Sequence, residues 1–234
     1  MKGSEMTRGP IAIRTDFERV PAELVARASG YAASILADVA GRRGTMHGRI
    51  QGLQKSMRIA GPAFTVEVRP GDNLMMHAAL AQAQPGDVIV VDGKGDLSCA
   101  LTGFLMVSQA KAAHLGGFVI DAAVRDTEEI CESGFPVFAA GANPNGPTKG
   151  LPGRVNWPVS VGGTTVHPGD LVVGDGDGVV VLPREQALQV VNAAQAKLDF
   201  EQSFLASLRQ GDPRNGWVAD SLRSLGVLAP GEAL

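Results

Sequence analysis

Two short apolar runs near the middle of the chain limit its architecture most: VIVVD at 88–92 and FVIDA at 118–122. Neither alternates apolar with polar, so each strand must be buried on both faces, as central strands of parallel or mixed sheets are. Helical spacing surrounds them, at 74–84, at about 102–114 and at 126–133, and a further strand is expected at 136–140. Strand and helix in alternation predict an α/β fold with helices laid over the sheet.

The flanks differ. Residues 16 to about 44 read as helical with a break at Ser29-Gly30. Residues 57–69 read as a half-buried strand, with Phe64, Val66 and Val68 on one side and Thr65, Glu67 and Arg69 on the other. Residues 93–98 read as a loop and 143–153, NPNGPTKGLPG, as a longer one. From 155 to 183 strand follows strand with Gly/Pro turns, and 184–209 is a long helix. The 30 glycines and 14 prolines serve these turns. With no convincing linker, the chain reads as one domain over 16–210, an arm at 1–15 and a tail at 211–234.

Several functions are excluded by what is missing. A formal charge of −3 argues against binding nucleic acid by bulk electrostatics. Cys99 and Cys131 have no framework spacing, no run of 18 apolar residues occurs and the first residues lack an apolar leader core. A cytoplasmic protein without membrane partners is expected. No Gly-Lys is followed by Ser or Thr, so there is no P-loop, and Gly93-Lys94-Gly95 lacks the third glycine of a dinucleotide loop. Gly174–Gly178, GDGDG, leads into a strand and reads as a hairpin turn. A G-x-S-x-G elbow is absent, and the four histidines have no metal-ligand spacing. His77 reads as structural and Lys94 as a solvated loop lysine.

Two segments at the carboxyl ends of the buried strands carry usable chemistry, where open α/β sheets place ligands. In the first, Thr102 reads as a helix N-cap, with Gly103, Phe104, Leu105 and Met106 opening the helix. Their free N–H groups would suit a small carboxylate. In the second, Arg125 can hold a carboxylate through two parallel donors and Asp126 is a hard oxygen ligand for Mg²⁺ or Mn²⁺. Alternatively, Asp126 caps the next helix, Glu129 completes the capping box and Arg125 only forms a salt bridge.

The motifs GPAFTVEVRPGDN, HAALAQAQPGDVIVVDG, AHLGGFVIDAAVRDTEE and SVGGTTVHPGDLVVGDGDGVVVLP resemble the class II pyruvate aldolase family. That family contains 4-hydroxy-4-methyl-2-oxoglutarate/4-carboxy-4-hydroxy-2-oxoadipate aldolases and the regulator of ribonuclease activity A. The most specific match is Gly103 followed by Arg125-Asp126 and Glu129. The resemblance implies a three-layer, swivelling-domain-like α/β fold with mixed sheets, flanked by N- and C-terminal helices. It also implies a homotrimer or dimer of trimers. Gly103, Phe104, Leu105 and Met106 would bind the pyruvyl carboxylate through backbone N–H groups and Arg125 the pyruvyl oxygens. Asp126 would hold a divalent metal, Mg²⁺ or Mn²⁺, with Glu201 of a neighbouring subunit reaching it through water. The expected activity is aldol cleavage of a small 2-oxo acid to pyruvate, with oxaloacetate decarboxylation beside it; the alternative is a non-catalytic, protein-binding regulator. In one respect the chain departs from the pattern: Phe104 stands where the aldolases usually carry Asp or Glu. Asp96, in the preceding loop, is a substitute carboxylate to look for.

Overall fold

The two apolar runs lie side by side in one sheet. A computed structural model describes residues 12–210 and 216–233. The strands are β1 (Gln51–Gly52), β2 (Ile59–Glu67), β3 (Val88–Thr102), β4 (Gly117–Val124), β5 (Val137–Ala142), β6 (Arg154–Val155), β7 (Val159–Val161), β8 (Thr164–Val166), β9 (Leu171–Asp175) and β10 (Gly178–Leu182). The helices are α1 (Ala22–Ala28), α2 (Ala33–Val39), α3 (Leu74–Leu80), α4 (Phe104–Ala112), α5 (Thr127–Ser133), α6 (Arg184–Arg209) and α7 (Gly216–Ser224). Parts of the expected arm and tail, 1–11, 211–215 and 234, lie outside the described residues.

The main sheet runs β1-β5-β4-β3-β2-β9-β10, with β6 added to β2. Strands β2 to β5 are parallel, and β1, β6, β9 and β10 join antiparallel, so this is the mixed α/β sheet with flanking helices that was expected. Strand β2 changes partner halfway. Ile59 to Pro62 pair with β9, and Ala63 to Glu67 pair with β3. The handover falls just after Pro62, which has no N–H to give. β9 and β10 form a hairpin closed at Asp175↔Gly178, so GDGDG is a turn.

One face of the sheet packs Phe64, Ile89, Phe118 and Ile120 against Met76 of α3, Val107 of α4 and Ile130 of α5. The other face packs Ala63, Val90, Val119 and Phe138 against Val161 and Val166 of the β7–β8 hairpin. Burying each such large side chain contributes about 1.5–3 kcal/mol. A third cluster sets α1, α2 and the start of α6 against Leu171, Val173, Val180 and Leu182.

Three local expectations are corrected. β2 is not half-buried: Thr65 is fully covered, because the segment before β7 lies over it and Trp157 O accepts its hydroxyl at 2.6 Å. Residues 93–98 are not a free loop. Lys94 (φ 62°) and Gly95 (φ 71°) are left-handed, but they form a bulge inside β3, whose pairing with β4 slips between Val91 and Asp96. The α4 N-cap is Gly103, one residue later than expected, and Thr102 ends the strand.

The chain divides into two units, one ending at Ala194 and one starting at Gln195. The second holds the end of α6 and α7. Among the described residues, no helix is long and apolar enough to cross a membrane.

Candidate active site

A cavity of about 290 Å³ opens at the carboxyl ends of β3 and β4. Its walls come from the first turns of α3 and α4, from residues 125–126 after β4, and from the 143–153 loop. The fold thus brings Gly103, Leu105, Met106, Arg125 and Asp126 to one cavity.

Asp126 occupies the N-cap position of α5 but makes no side-chain cap there. Its backbone is left-handed, φ 56° and ψ 42°, an unfavourable conformation for a residue with a Cβ. Its Oδ2 instead accepts the N–H of Phe104 at 2.9 Å, across to the start of α4. The capping-box alternative therefore fails, and the anion drawn to this helix terminus is the protein's own carboxylate. Asp126 takes the Phe104 N–H, whereas Leu105 and Met106, in the same first turn, have no intrahelical carbonyl for theirs. Gly103 makes the approach feasible: a Cβ there would lie 2.3 Å from Asp126 Oδ2 and 3.1 Å from Arg125 Cγ.

Arg125 N–H donates to Thr102 O at 3.0 Å and ties the ends of β4 and β3 together. Its side chain does form the expected salt bridge, with Nε 3.8 Å from Asp126 Oδ2, beyond hydrogen-bonding distance, and its guanidinium passes close over Gly146. That leaves the planar fork available to a ligand. No hydrogen bond among the described residues reaches Asp126 Oδ1.

The 143–153 loop is held by Asp72. This buried carboxylate accepts the Thr148 hydroxyl at 2.7 Å and the N–H groups of Gly150, Leu151 and Leu74 at 2.7, 3.1 and 3.0 Å. Burial alone would raise its pKa, but these four donors outweigh burial and hold it at about 2. The clamp presents Lys149 to the cavity. His77, expected to be structural, also lines it. Burial first and the Lys149 charge second push its pKa down, so the imidazole is neutral at pH 7. Asn73 and Lys149 drew no attention in the sequence; PGDN before a helix was the only available signal for Asn73.

Phe104 does not line the cavity. Its ring packs against the core, and Leu105, 79% exposed, stands at the opening instead. Asp96 is absent from the lining too; it accepts the Ser98 N–H at 2.8 Å. Lys94 is exposed, as expected, but also paired, 2.6 Å from Asp92 and 3.4 Å from Glu67. Burial works against its charge, but those two carboxylates prevail and raise its pKa, the wrong direction for a Schiff-base amine. Glu201 belongs to the second unit, where it pairs with Lys197 at 3.1 Å. No cluster of three His, Cys, Asp or Glu suited to a metal occurs among the described residues.

The RraA-like family model, described as Aldolase/RraA, matches residues 26–181. A protein of Halalkalibacterium halodurans provisionally named 4-hydroxy-4-methyl-2-oxoglutarate aldolase is 42% identical over 148 residues, 63% of this chain and 70% of that one. Among solved structures, Streptomyces coelicolor RraAS2, described as an unusual member of the RNase ES inhibitor RraA family, aligns with a TM-score of 0.73 at 28% identity. The alignment covers 84% of this chain and 100% of that one. The RNA-processing inhibitor RraA of Thermus thermophilis aligns with a TM-score of 0.61 at 31% identity, over 65% and 93% of the two chains.

Proposed function

The chain belongs to the RraA-like (Aldolase/RraA) family, and we propose that within it this protein is a divalent-metal-dependent lyase that cleaves a small 2-oxo acid to pyruvate. The observation that carries this reading is the meeting of Arg125 and Asp126 with the start of α4 over Gly103. It is supported by the aldolase name of the relative that is 42% identical.

One free carboxylate oxygen, Asp126 Oδ1, beside an open cavity suits Mg²⁺ or Mn²⁺, which keep most of their waters and take the rest of their ligands from substrate. Such a cation, when bound, supplies a Lewis acid for the 2-keto oxygen. In the reaction on 4-hydroxy-4-methyl-2-oxoglutarate, the 4-hydroxyl loses its proton and the C3–C4 bond breaks. The electron pair of that bond passes to the C2 carbonyl, giving a pyruvate enolate and one pyruvate. Protonation of the enolate at C3 gives the second pyruvate. Arg125 holds the carboxylate and the enolate oxygen through its fork, where negative charge develops. The Leu105 and Met106 N–H groups face the same carboxylate. Oxaloacetate reaches the same enolate by losing CO₂ from C4. In this reading the protein acts in the cytoplasm as a homotrimer or dimer of trimers, with Glu201 contributed by a neighbour.

The test is pyruvate release from 4-hydroxy-4-methyl-2-oxoglutarate and from oxaloacetate, in Mg²⁺ and in EDTA, for wild type and Asp126→Asn. Release should stop in EDTA and return with Mg²⁺. The Asn variant should be nearly inactive with stability lowered by only about 1 kcal/mol, since its amide oxygen can still accept the Phe104 N–H and only the charge is lost. Full activity in the variant would end the metal reading. The second reading, a protein-binding regulator, draws on the RraA structures and on Phe104 in place of an acid. No pyruvate from either substrate with any divalent metal would favour it.

A further inference from the structure

A second cavity, of about 550 Å³, lies at the end of β10 and shares no lining residue with the candidate active site. Its walls are the segment after α2, the β7–β8 turn, the turn between β8 and β9 and the start of α6, all within the first unit. The exposed side chains that line it are rich in donors: the guanidiniums of Arg42 and Arg43, the His167 imidazole, the Thr165 hydroxyl and the Gln186 amide. Asp170 is the one carboxylate among the lining residues. It is buried, and its oxygens accept the backbone N–H groups of His167 at 2.9 Å and Arg184 at 3.0 Å. Neither Arg42 nor Arg43 has an ion pair or a side-chain hydrogen bond among the described residues. The stretch they belong to is basic throughout: residues 39–66 hold Arg42, Arg43, Arg49, Lys55 and Arg58 and no Asp or Glu, in a chain of net charge −3.

The backbone holds the two arginines from both sides. At the end of α2 the Arg42 N–H donates to Ala37 O at 2.8 Å and the Gly41 N–H to Asp38 O at 3.1 Å, the paired bonds of a Schellman cap. Gly41, φ 72°, supplies the left-handed residue that such a cap needs. Arg42 then adds a second left-handed residue, φ 59°, in a conformation unfavourable for any residue with a Cβ. Two residues later the Val181 N–H donates to Gly44 O at 2.8 Å and fastens the segment to β10. The Thr164 hydroxyl ties it to the β7–β8 turn by donating to Thr45 O at 2.8 Å. Glycine would suit position 42 better as backbone, so the use of arginine there lies in its side chain.

We propose that this cavity binds a small polyanion, whose carboxylate or phosphate groups are held by Arg42 and Arg43 together with His167. Each guanidinium is a planar fork of donors that matches two oxygens of such a group. Two unpaired cations side by side favour a ligand with more than one negative charge, and a segment already pinned at Gly41 and Gly44 loses little freedom when the ligand arrives. The site stands apart from the pyruvate chemistry, so the inference does not depend on the lyase reading.

Calorimetric titration of the metal-free protein with citrate and with pyrophosphate tests this. At low salt the wild type should bind at least one of them with a Kd of about 1 mM or tighter, and added NaCl should weaken the binding. Binding of citrate alone would identify a carboxylate ligand and of pyrophosphate alone a phosphate, and either result bears the proposal out. Arg42→Gly keeps the left-handed backbone and removes the guanidinium, so affinity should fall at least about tenfold while Tm stays level or rises. Arg43→Gln is the second variant and should lose about as much. Arg125→Ala, in the other cavity, should change the affinity by less than about twofold. No heat from either polyanion up to about 10 mM, affinity kept in both Arg42→Gly and Arg43→Gln, or a loss in Arg125→Ala as large as in Arg42→Gly would overturn the proposal. Pyruvate release, measured separately, decides the lyase reading whichever way these titrations fall.

Discussion

Replacing Gly103 by alanine isolates the contact on which the site is built. The backbone there is extended, φ −150° and ψ −171°, so alanine introduces no conformational strain. What it introduces is a Cβ 2.3 Å from Asp126 Oδ2, where no real Cβ sits closer than 3.0 Å to a neighbour. The carboxylate must retreat by roughly 1 Å to reach van der Waals distance. That stretches its 2.9 Å bond from the Phe104 N–H beyond hydrogen-bonding range. Hydrogen bonds to charged groups contribute about 1.5–3 kcal/mol, and the partial exposure of Asp126 argues for the lower half of that range. Tm should then fall by about 3–9 °C in a chain of this size. Misplacing a catalytic group by about 1 Å can cost 10²-fold, so kcat/KM for pyruvate release should fall roughly 10–100-fold. Gly146→Ala is the contrast. Its Cβ would come within 2.8 Å of Arg125 Nη1, the far end of a flexible side chain that can swing aside, so the loss should be smaller. Scanning calorimetry and a coupled pyruvate assay measure both quantities. A Gly103→Ala protein with wild-type kcat/KM would refute the argument, as would one equalled or exceeded in loss by Gly146→Ala.

Arg125→Lys keeps the charge and loses the planar fork, so turnover should fall far more than the Tm; steady-state kinetics with a wild-type kcat would assign Arg125 to structure alone. Asp72 has a folded-state pKa of about 2 against an ordinary 3.8. Because the folded value is the lower one, its contribution is complete above pH 3.8 and is lost as pH falls through 2. It amounts to about 2 kcal/mol. Denaturant melts of Asp72→Asn should therefore show lower stability at pH 7, and a gap from wild type that narrows towards pH 2; a gap that stays constant would show that the carboxylate's charge is irrelevant to the clamp.

The strands that form the sheet were readable because burial on both faces leaves short, β-branched apolar runs, VIVVD and FVIDA, too short for helices and set between helical segments. Thr65 was misread because its polarity suggests solvent, while its cover comes from a segment about ninety residues later in the chain. Residues 93–98 were misread because a bulge and a turn use the same left-handed residues, and only the partner strand distinguishes them. At the site, the residue types of Arg125 and Asp126 were informative, but the direction of the Asp126 carboxylate was not. A cap and a bond across to α4 require the same residue at the same position. Asn73 and His77 were hidden for a related reason: their burial depends on the loop that Asp72 draws over them, and nothing local in the sequence announces it.

The change of partners along β2 has a consequence for how the chain is made. Its first four residues pair with residues 171–174, more than a hundred positions downstream. At typical elongation rates of about 5–20 residues per second, that edge waits roughly 6–20 s for its partner after it is synthesised. An unpaired strand edge is an invitation to a neighbouring nascent chain. Gly61 and Pro62 sit within the waiting half; glycine is a poor strand former and proline withholds a donor from any foreign ladder. The same dipeptide that gives β2 its place to change partners therefore also makes the edge a poor template while synthesis continues.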